Sequence, residues 1–484
     1  MSRAWNEVLE ELRGLVYAEP TQKNWQLLCQ ALQPLKGAIL SQALEYVEGP
    51  LEGWPDKVRA FRTRTVKDWT TRKANWLPLV RALFFTYAKV GPRSAVTLAR
   101  SRRLETLRHL SLSSSGLPAK GAAALAGSAF LSNLESLSVS FCPVGDDGAR
   151  ALAQSKHLGN LKALSLYRVG LTDVGARALS QAAFAEGLEQ LSLTQNTVGP
   201  DGLEALVDGG VFDGARSLEL SHNPFGDVGM AALSRVRLGG AEKVELTKVG
   251  ATDAGLEAWV QTAPSSIREL ELGSNRFSSA GALALASSPL RQSVWSLNLG
   301  GCPLGDEGVA ALVSRGQFEG LERLYLWGAG VGPVGIEALA ASGQLETLTH
   351  LLLRGCPIGD QGVAALAACG LGRLWYLPLG DCGVGDDGLK ALAGASGFGA
   401  LGRLELGRNH FGDKGAAALA SWPGLATVET LDLSQNPGLG MAGVKALAAS
   451  EHIGALRLLK LNRCGVPFKE CQQVFADHKK LKVQ

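Results

Sequence analysis

A unit of about 27 residues recurs along most of this 484-residue chain. A fixed period in that range restricts the fold more than any other feature, because each unit must stack on the next to bury its apolar face. The copy Leu297-Asn-Leu-Gly-Gly-Cys-Pro-Leu-Gly-Asp-Glu-Gly-Val-Ala-Ala-Leu312 shows the unit clearly. With the first leucine of each Leu-x-Leu as a register mark, the marks fall at Leu110, Leu137, Leu164, Leu191, Leu218, Val244, Leu270, Leu297, Leu324, Leu351, Leu377, Leu404, Leu431 and Leu459. Successive marks lie 26 to 28 residues apart.

Each unit has a physical reading. The mark and the residue two places on are apolar, so they share one face of a short strand. Five residues after the mark stands a small polar group, Asn196, Asn223, Asn275, Asn409 or Asn436 in five copies and Cys142, Cys302, Cys356, Cys382 or Cys464 in five others. A buried Asn there can bond exposed backbone of the next coil, and Cys fits the same slot. Gly-Asp often follows, as in Gly145-Asp146, Gly226-Asp227, Gly305-Asp306, Gly359-Asp360, Gly385-Asp386 and Gly412-Asp413. Asp in that place reads as a helix N-cap. Eleven residues past the mark stands a glycine in each of the first twelve copies, Gly121 to Gly415, which lets the helix start lie close to its neighbour. Four residues later an apolar anchor such as Leu312 or Trp259 ties the helix to the core.

This pattern resembles the leucine-rich repeat, in its ribonuclease-inhibitor-like form with a strand and a full helix per unit. The resemblance covers about residues 104–467 over fourteen copies. It implies an α/β chain: a right-handed β/α solenoid, or horseshoe. Strands stack at about 4.8 Å while helices need about 10 Å, so such a stack bends with its strands inside.

Residues 1–103 lack the repeat and are expected to form an α-helical capping domain that hides the first open edge of the solenoid. Trp5, Val8, Leu9, Leu12 and Val16 fall at helical spacing, as do Trp25, Leu28, Cys29 and Leu32, then Leu40, Ala43, Leu44 and Val47. Further helices are expected over 57–72 and 76–89. The phrase Leu15-Val-Tyr-Ala-Glu-Pro20 resembles a helical companion domain found before repeat arrays in bacterial proteins. Residues 468–484 read as a C-terminal capping helix. The charge is uneven: through residue 109 there are 18 Lys and Arg against 10 acids, although the whole chain carries only +3. The basic run Lys57, Arg59, Arg62, Arg64, Lys67, Arg72 and Lys73 reads as a solvated helix face, with an electrostatic landing site as its alternative.

Eight cysteines without Cys-x-x-Cys or His-Cys zinc spacing are expected to be free thiols, which favours a reducing compartment. The amino terminus carries charge where a signal peptide needs an apolar run, and Trp76 to Tyr87 is too short to span a bilayer. The expected location is the cytoplasm, without membrane insertion.

No Gly-x-x-x-x-Gly-Lys-Ser/Thr loop, His-Glu-x-x-His or Gly-x-Ser-x-Gly occurs. The seven histidines are scattered along the array, so a non-enzyme without metal or cofactor is expected. A broad strand surface suits a folded protein partner, rather than a small-molecule substrate or a nucleic acid. Residues flanking the mark, and the one three after it, point to that surface. They bring together Tyr325, Trp327, Leu352 and Tyr376, framed by Arg323, His350, Arg354 and Arg403. Aromatics with Arg are the composition of a binding hot spot. The alternative is cross-strand aromatic packing with no partner. Glu219, Glu245 and Glu271 form an acidic stretch whose mutual repulsion calls for compensation by Lys243, Lys248 or a basic partner. The repeated Asp residues at helix starts look metal-like in isolation, but as caps they need no ion. Three functions follow: a protein-binding scaffold; a regulator of a small GTPase, as the similar Ran GTPase-activating protein implies, with Arg168, Arg408 and Arg463 as candidates; or an inhibitor of a basic enzyme.

Overall fold

The computed structural model describes residues 3–85, 87–238 and 240–484. All fourteen marks sit at the centre of a three-residue strand. The chain divides into two compact units, Met1–Pro224 with Val236–Leu238, and Phe225–Arg235 with Gly239–Gln484.

The first unit opens with three helices, α1 (Arg3–Val16), α2 (Gln22–Leu32) and α3 (Gly37–Leu51). They pack on one another through Leu12, Val16, Leu28, Leu32 and Val47. The strands follow: β1 (Ala60–Thr63), β2 (Ala82–Phe85), β3 (His109–Ser111), β4 (Ser136–Ser138), β5 (Ala163–Ser165), β6 (Gln190–Ser192) and β7 (Ser217–Glu219). Each pairs in parallel with the next in sequence. The helices expected over 57–72 and 76–89 are therefore corrected. Only α4 (Val66–Thr71) and a short turn at Leu77–Leu79 are helical there, and α5 (Pro92–Ala99) follows β2. Leu83 pairs with Leu110, so one coil of the repeat lies upstream of the first mark, and Phe61 pairs with Leu83 in a further strand.

The second unit carries β8 (Lys243–Glu245), β9 (Glu269–Glu271), β10 (Ser296–Asn298), β11 (Arg323–Tyr325), β12 (His350–Leu352), β13 (Tyr376–Pro378), β14 (Arg403–Glu405), β15 (Thr430–Asp432), β16 (Leu458–Lys460) and β17 (Lys482–Val483), again parallel in sequence order. The C-terminal segment is helical only over Phe468–Val474, and its end is the strand β17 rather than a continued helix. Each unit is a β/α solenoid: one layer of strands, one of helices, and a leucine core between them, with Leu297, Leu299, Leu324 and Leu326 fully buried.

The strand-end slot works as its chemistry requires. Asn196 Oδ1 accepts from the backbone N–H of Val169, Gly170 and Leu171 at 3.0–3.1 Å, and its Nδ2 donates to the Leu166 and Leu193 carbonyls at 2.8 Å. Cysteine keeps the donor bond: Cys356 Sγ reaches the Leu326 carbonyl at 3.0 Å and Cys382 Sγ that of Leu353 at 3.1 Å. All eight cysteines are free.

The aspartates cap a different helix from the one expected. Asp146 lies within the first turn of the helix Gly145–Ala153, which has no side-chain cap. Its Oδ1 instead accepts from the backbone N–H of Thr172 (2.8 Å) and Gly175 (3.0 Å), capping the helix of the next coil. Asp227, Asp306, Asp360, Asp386 and Asp413 do the same, reaching Thr252, Gly332, Gly385, Gly412 and Gly440 at 2.6–2.7 Å. This bond accounts for glycine at Gly175, Gly202, Gly255, Gly281, Gly335, Gly388 and Gly415, whereas at Gly121, Gly148, Gly229, Gly308 and Gly362 a Cβ would meet the apolar side chain four residues earlier. A Cβ on Gly175 would stand 2.5 Å from Asp146 Oδ1, so the helix start can receive the carboxylate only if that position has no side chain.

Candidate functional site

The strand face of the second unit carries a notch of about 530 Å³, lined among others by Trp327, Leu352, Arg354, Tyr376, Asp381 and Glu405. Its position follows from the strands. Tyr376 and Pro378 flank the mark of β13, while Trp327 and Arg354 stand three residues past the marks of β11 and β12. Pro378 has no N–H to give β12, and the β12–β13 ladder narrows to the single pair His350 and Tyr376.

Large side chains lie here over glycines of the adjoining coil. Trp327 covers Gly300: a Cβ there would be 2.2 Å from Trp327 Nε1. Trp375 covers Gly402 in the same way, at 2.3 Å, and Arg354 Cγ lies 3.8 Å from the corresponding point on Gly380. The rings are thereby laid against backbone while keeping exposed surface, 38% for Trp327 and 46% for Trp375.

A hydrogen-bonded group holds the other wall. Tyr376 Oη donates to Glu405 Oε1 at 3.2 Å, and Arg403 Nε donates to the same oxygen at 2.8 Å. The Arg403 guanidinium also sits 4.8 Å above the Tyr376 ring. Burial, followed by the neighbouring Glu405 charge, pushes the Tyr376 hydroxyl above its ordinary value, so it remains a donor. For Arg403, burial is the largest single effect and works against the charge, but the bond to Glu405 together with the Glu405, Tyr376 and Asp432 charges makes the net shift upward. His350 packs 5.8 Å from Trp375 and 6.0 Å from Tyr376. Burial first, and Arg323 second, lower its pKa and favour the neutral ring. Arg354 is exposed and has no carboxylate partner among the described residues.

Of the residues singled out in the sequence, Trp327, Leu352, Arg354 and Tyr376 converge on the notch, with Arg403 and His350 packed directly against Tyr376. Tyr325 is half-buried and pairs with Leu352 across the ladder without lining the notch. Arg323 turns toward Trp295, 4.5 Å from its ring. Glu219 belongs to the first unit. Glu245 and Glu271 are directly paired in the second unit, and their repulsion is answered locally. Lys243 Nζ lies 2.6 Å from Glu245, and Asn298 Nδ2 donates to Glu271 at 2.6 Å. Arg408 is engaged by Gln435 at 3.1 Å. Sequence reasoning missed Trp375, which stands two residues before its mark, and Asp381, held in left-handed backbone at the strand end (φ 59°). The available signal was glycine at the same repeat position of the adjoining coil, as in Gly402 beneath Trp375.

Among the described residues no cluster of three His, Cys, Asp or Glu is placed to hold a metal ion. None of the described helices is long and apolar enough to cross a membrane.

The Leucine Rich repeat family matches at residues 130–153, 188–207, 216–234, 263–286, 292–313, 344–367, 376–393, 401–420 and 424–448. The chain is built of leucine-rich repeats. These matches fall within the strand–helix coils described above. No curated protein matches the sequence. Solved structures of similar fold include a leucine-rich repeat protein of Leptospira interrogans, 18% identical, covering 80% of this chain and 98% of that one (TM-score 0.45). An internalin of Listeria monocytogenes is 17% identical over 73% of this chain and 81% of its own (TM-score 0.40). The yeast Rad7 and Elc1 complex matches at 16% identity over 86% and 89% (TM-score 0.46).

Proposed function

We propose that this chain is a non-catalytic protein-binding scaffold that docks a folded partner on the strand face of its second unit, centred on the notch between Trp327 and Glu405. Leucine-rich repeats generally serve protein interaction. One observation carries the specific reading. Two partly exposed tryptophans and an arginine without a carboxylate partner are held in place over glycine backbone, around a wall already fixed by the Tyr376–Glu405–Arg403 bonds. Aromatic and arginine anchors that are pre-positioned lose little entropy on binding, the property of a hot spot.

The same reading places the protein in a reducing compartment such as the cytoplasm, since all eight thiols are free and most are buried. A strand and a full helix per 26–28 residues support the ribonuclease-inhibitor-like form, with the first helices as the cap of the array. Inhibition of a basic enzyme draws on Glu245 and Glu271, but both carboxylates already have partners within the chain. The test is quantitative affinity capture with the full chain and with Trp327→Ala and Arg354→Ala. Proteins retained by the wild type should fall more than tenfold with both variants at unchanged melting temperature. Capture that is identical for all three chains counts against the notch.

A further inference from the structure

A second feature lies on the first unit's sheet, at its edge strand β1. In a parallel ladder, alternate residues of a strand turn both their N–H and C=O to the same side. Ala82 N–H bonds the Arg59 carbonyl, and Phe61 is in register with Leu83. Arg59, Phe61 and Thr63 therefore face β2, while Ala60 and Arg62 face away from it. The Ala60 carbonyl on that outer side is closed by the indole of Trp25 in α2, at 3.3 Å. The outward N–H and C=O of Arg62 have no partner among the described residues.

This open stretch of edge is the floor of a groove of about 530 Å³. One wall is α2, which presents Gln22, Gln26 and Gln30 at helical spacing, continued by Gln33 at its C-cap. The other is the segment after α4, with Arg72, Lys73 and Trp76. Asn75 Nδ2 ties that segment to the end of α2 through the Leu32, Gln33 and Leu35 carbonyls, at 2.8–3.1 Å, so both walls are fixed. The lining includes three cations, Arg62, Arg72 and Lys73, and no carboxylate. Arg72 is held by Asp68 at 2.8 Å, whereas Arg62 lies 4.5 Å over the Phe84 ring and remains without an acidic partner. Sheet edges are normally blunted or covered, because they template added strands. Here the cover stops short of Arg62, leaving backbone donors and acceptors beside amide side chains and uncompensated positive charge.

We propose that the groove between α2 and β1 takes an extended acidic peptide segment of a protein partner, which adds as a further strand on the β1 edge. Main-chain bonds to Arg62 supply the alignment, the glutamine row bonds the peptide's outer edge, and Arg62 and Lys73 meet its carboxylates. The site is separate from the notch of the second unit and needs no occupant there.

The experiment uses the full chain and a fluorescein-labelled Val-Glu-Val-Glu-Val-Glu peptide, read by anisotropy. Saturable binding is expected, weakened at least tenfold when lysine replaces glutamate and when the four central amides of the peptide are N-methylated. The double variant Arg62→Glu, Lys73→Glu should lose binding to the same degree at unchanged melting temperature. Peptide saturation should slow amide hydrogen exchange over Ala60–Thr63 at least fivefold. Should the double variant fail to fold, the N-methylated peptide on the wild-type chain decides the matter. Binding indifferent to N-methylation, no added exchange protection at β1, or a single-stranded oligonucleotide that outcompetes the peptide would each overturn the proposal.

Discussion

A Cβ built on Gly202 would stand 2.4 Å from Asp173 Oδ1 and 2.8 Å from Asp173 Cα, so backbone as well as side chain would have to move. Forced overpacking of this kind costs about 1–3 kcal/mol. Gly202→Ala is accordingly expected to lower the urea midpoint clearly. Gly14→Ala in α1, where nothing lies within 4 Å, should raise stability by about 0.5–1 kcal/mol through helix propensity alone. Equal effects at both sites would refute the account of the glycine column. Glu271 supplies a titration test. Its pKa is raised by burial first and by Glu245 second, although the Asn298 bond works in the other direction. A raised acid pKa means the folded state holds its proton longer than the unfolded chain does. Stability should therefore fall as pH rises from the ordinary glutamate range through the raised value. Unfolding of Glu271→Gln measured across pH 4 to 7 should lack that component, and a wild-type slope no steeper than the variant's would contradict it.

The strand ends show why one slot accepts two chemistries. Replacing Asn196 with Ala removes five hydrogen bonds, a loss of roughly 3–5 kcal/mol at about 1 kcal/mol each. It leaves the Val169, Gly170 and Leu171 N–H groups and the Leu166 carbonyl without that partner, while the Leu193 carbonyl keeps its bond from Asn223 Nδ2. Cys142→Ala removes the bond to the Leu112 carbonyl at 3.2 Å and a weak one with Ser115 Oγ at 3.7 Å, and should cost about 1–2 kcal/mol. Denaturant unfolding of the two variants distinguishes these values, and a Cys142→Ala loss as large as that of Asn196→Ala would refute the distinction. Cys302 and Cys382 act as donors because burial keeps their thiols protonated, pushing Cys302 up to about 11 and Cys382 to about 12. The fourteen marked strands were legible in the sequence, since a period-27 leucine mark and an alternating pattern leave no other face to bury. The direction of the aspartate caps was not, because a cap on the next coil and a cap on its own helix share one sequence pattern. Leu83 lies 27 residues before Leu110, yet the coil it heads escaped notice. Ser94 stands where the glycine column predicts Gly, and the surrounding tryptophans fall at helical spacing. The signal at β17 was weaker still, two residues closing the sheet after a shortened helix.

Over the molecule as a whole, the repeat assigns every residue to a column, but columns alone do not say which side chains meet. That depends on which way each large group leans, and the lean is set by where the adjoining coil is bare. Trp327 lies over Gly300 of the preceding coil, whereas Arg354 leans the opposite way toward Gly380 of the following one, and the notch opens between them. Tyr325 has Asn298 and Leu352 beside it on the neighbouring strands, with no glycine on either side, and it does not reach the notch although it belongs to the same face. A binding surface of this kind concentrates its energy in a few anchors, so displacing one ring should matter more than trimming many contacts. Gly300→Ala tests this without touching any anchor. The new methyl would sit 2.2 Å from Trp327 Nε1, but the ring is at the end of a side chain and partly exposed, so it can swing outward. The chain should keep its stability to within about 1 kcal/mol, a small value among point mutants. Partner capture should nevertheless fall about tenfold, or about 1.4 kcal/mol, in the same direction as expected for Trp327→Ala. Full capture by Gly300→Ala together with loss in Trp327→Ala would mean that the ring contributes area but its placement does not, and the pre-positioned hot spot would have to be abandoned.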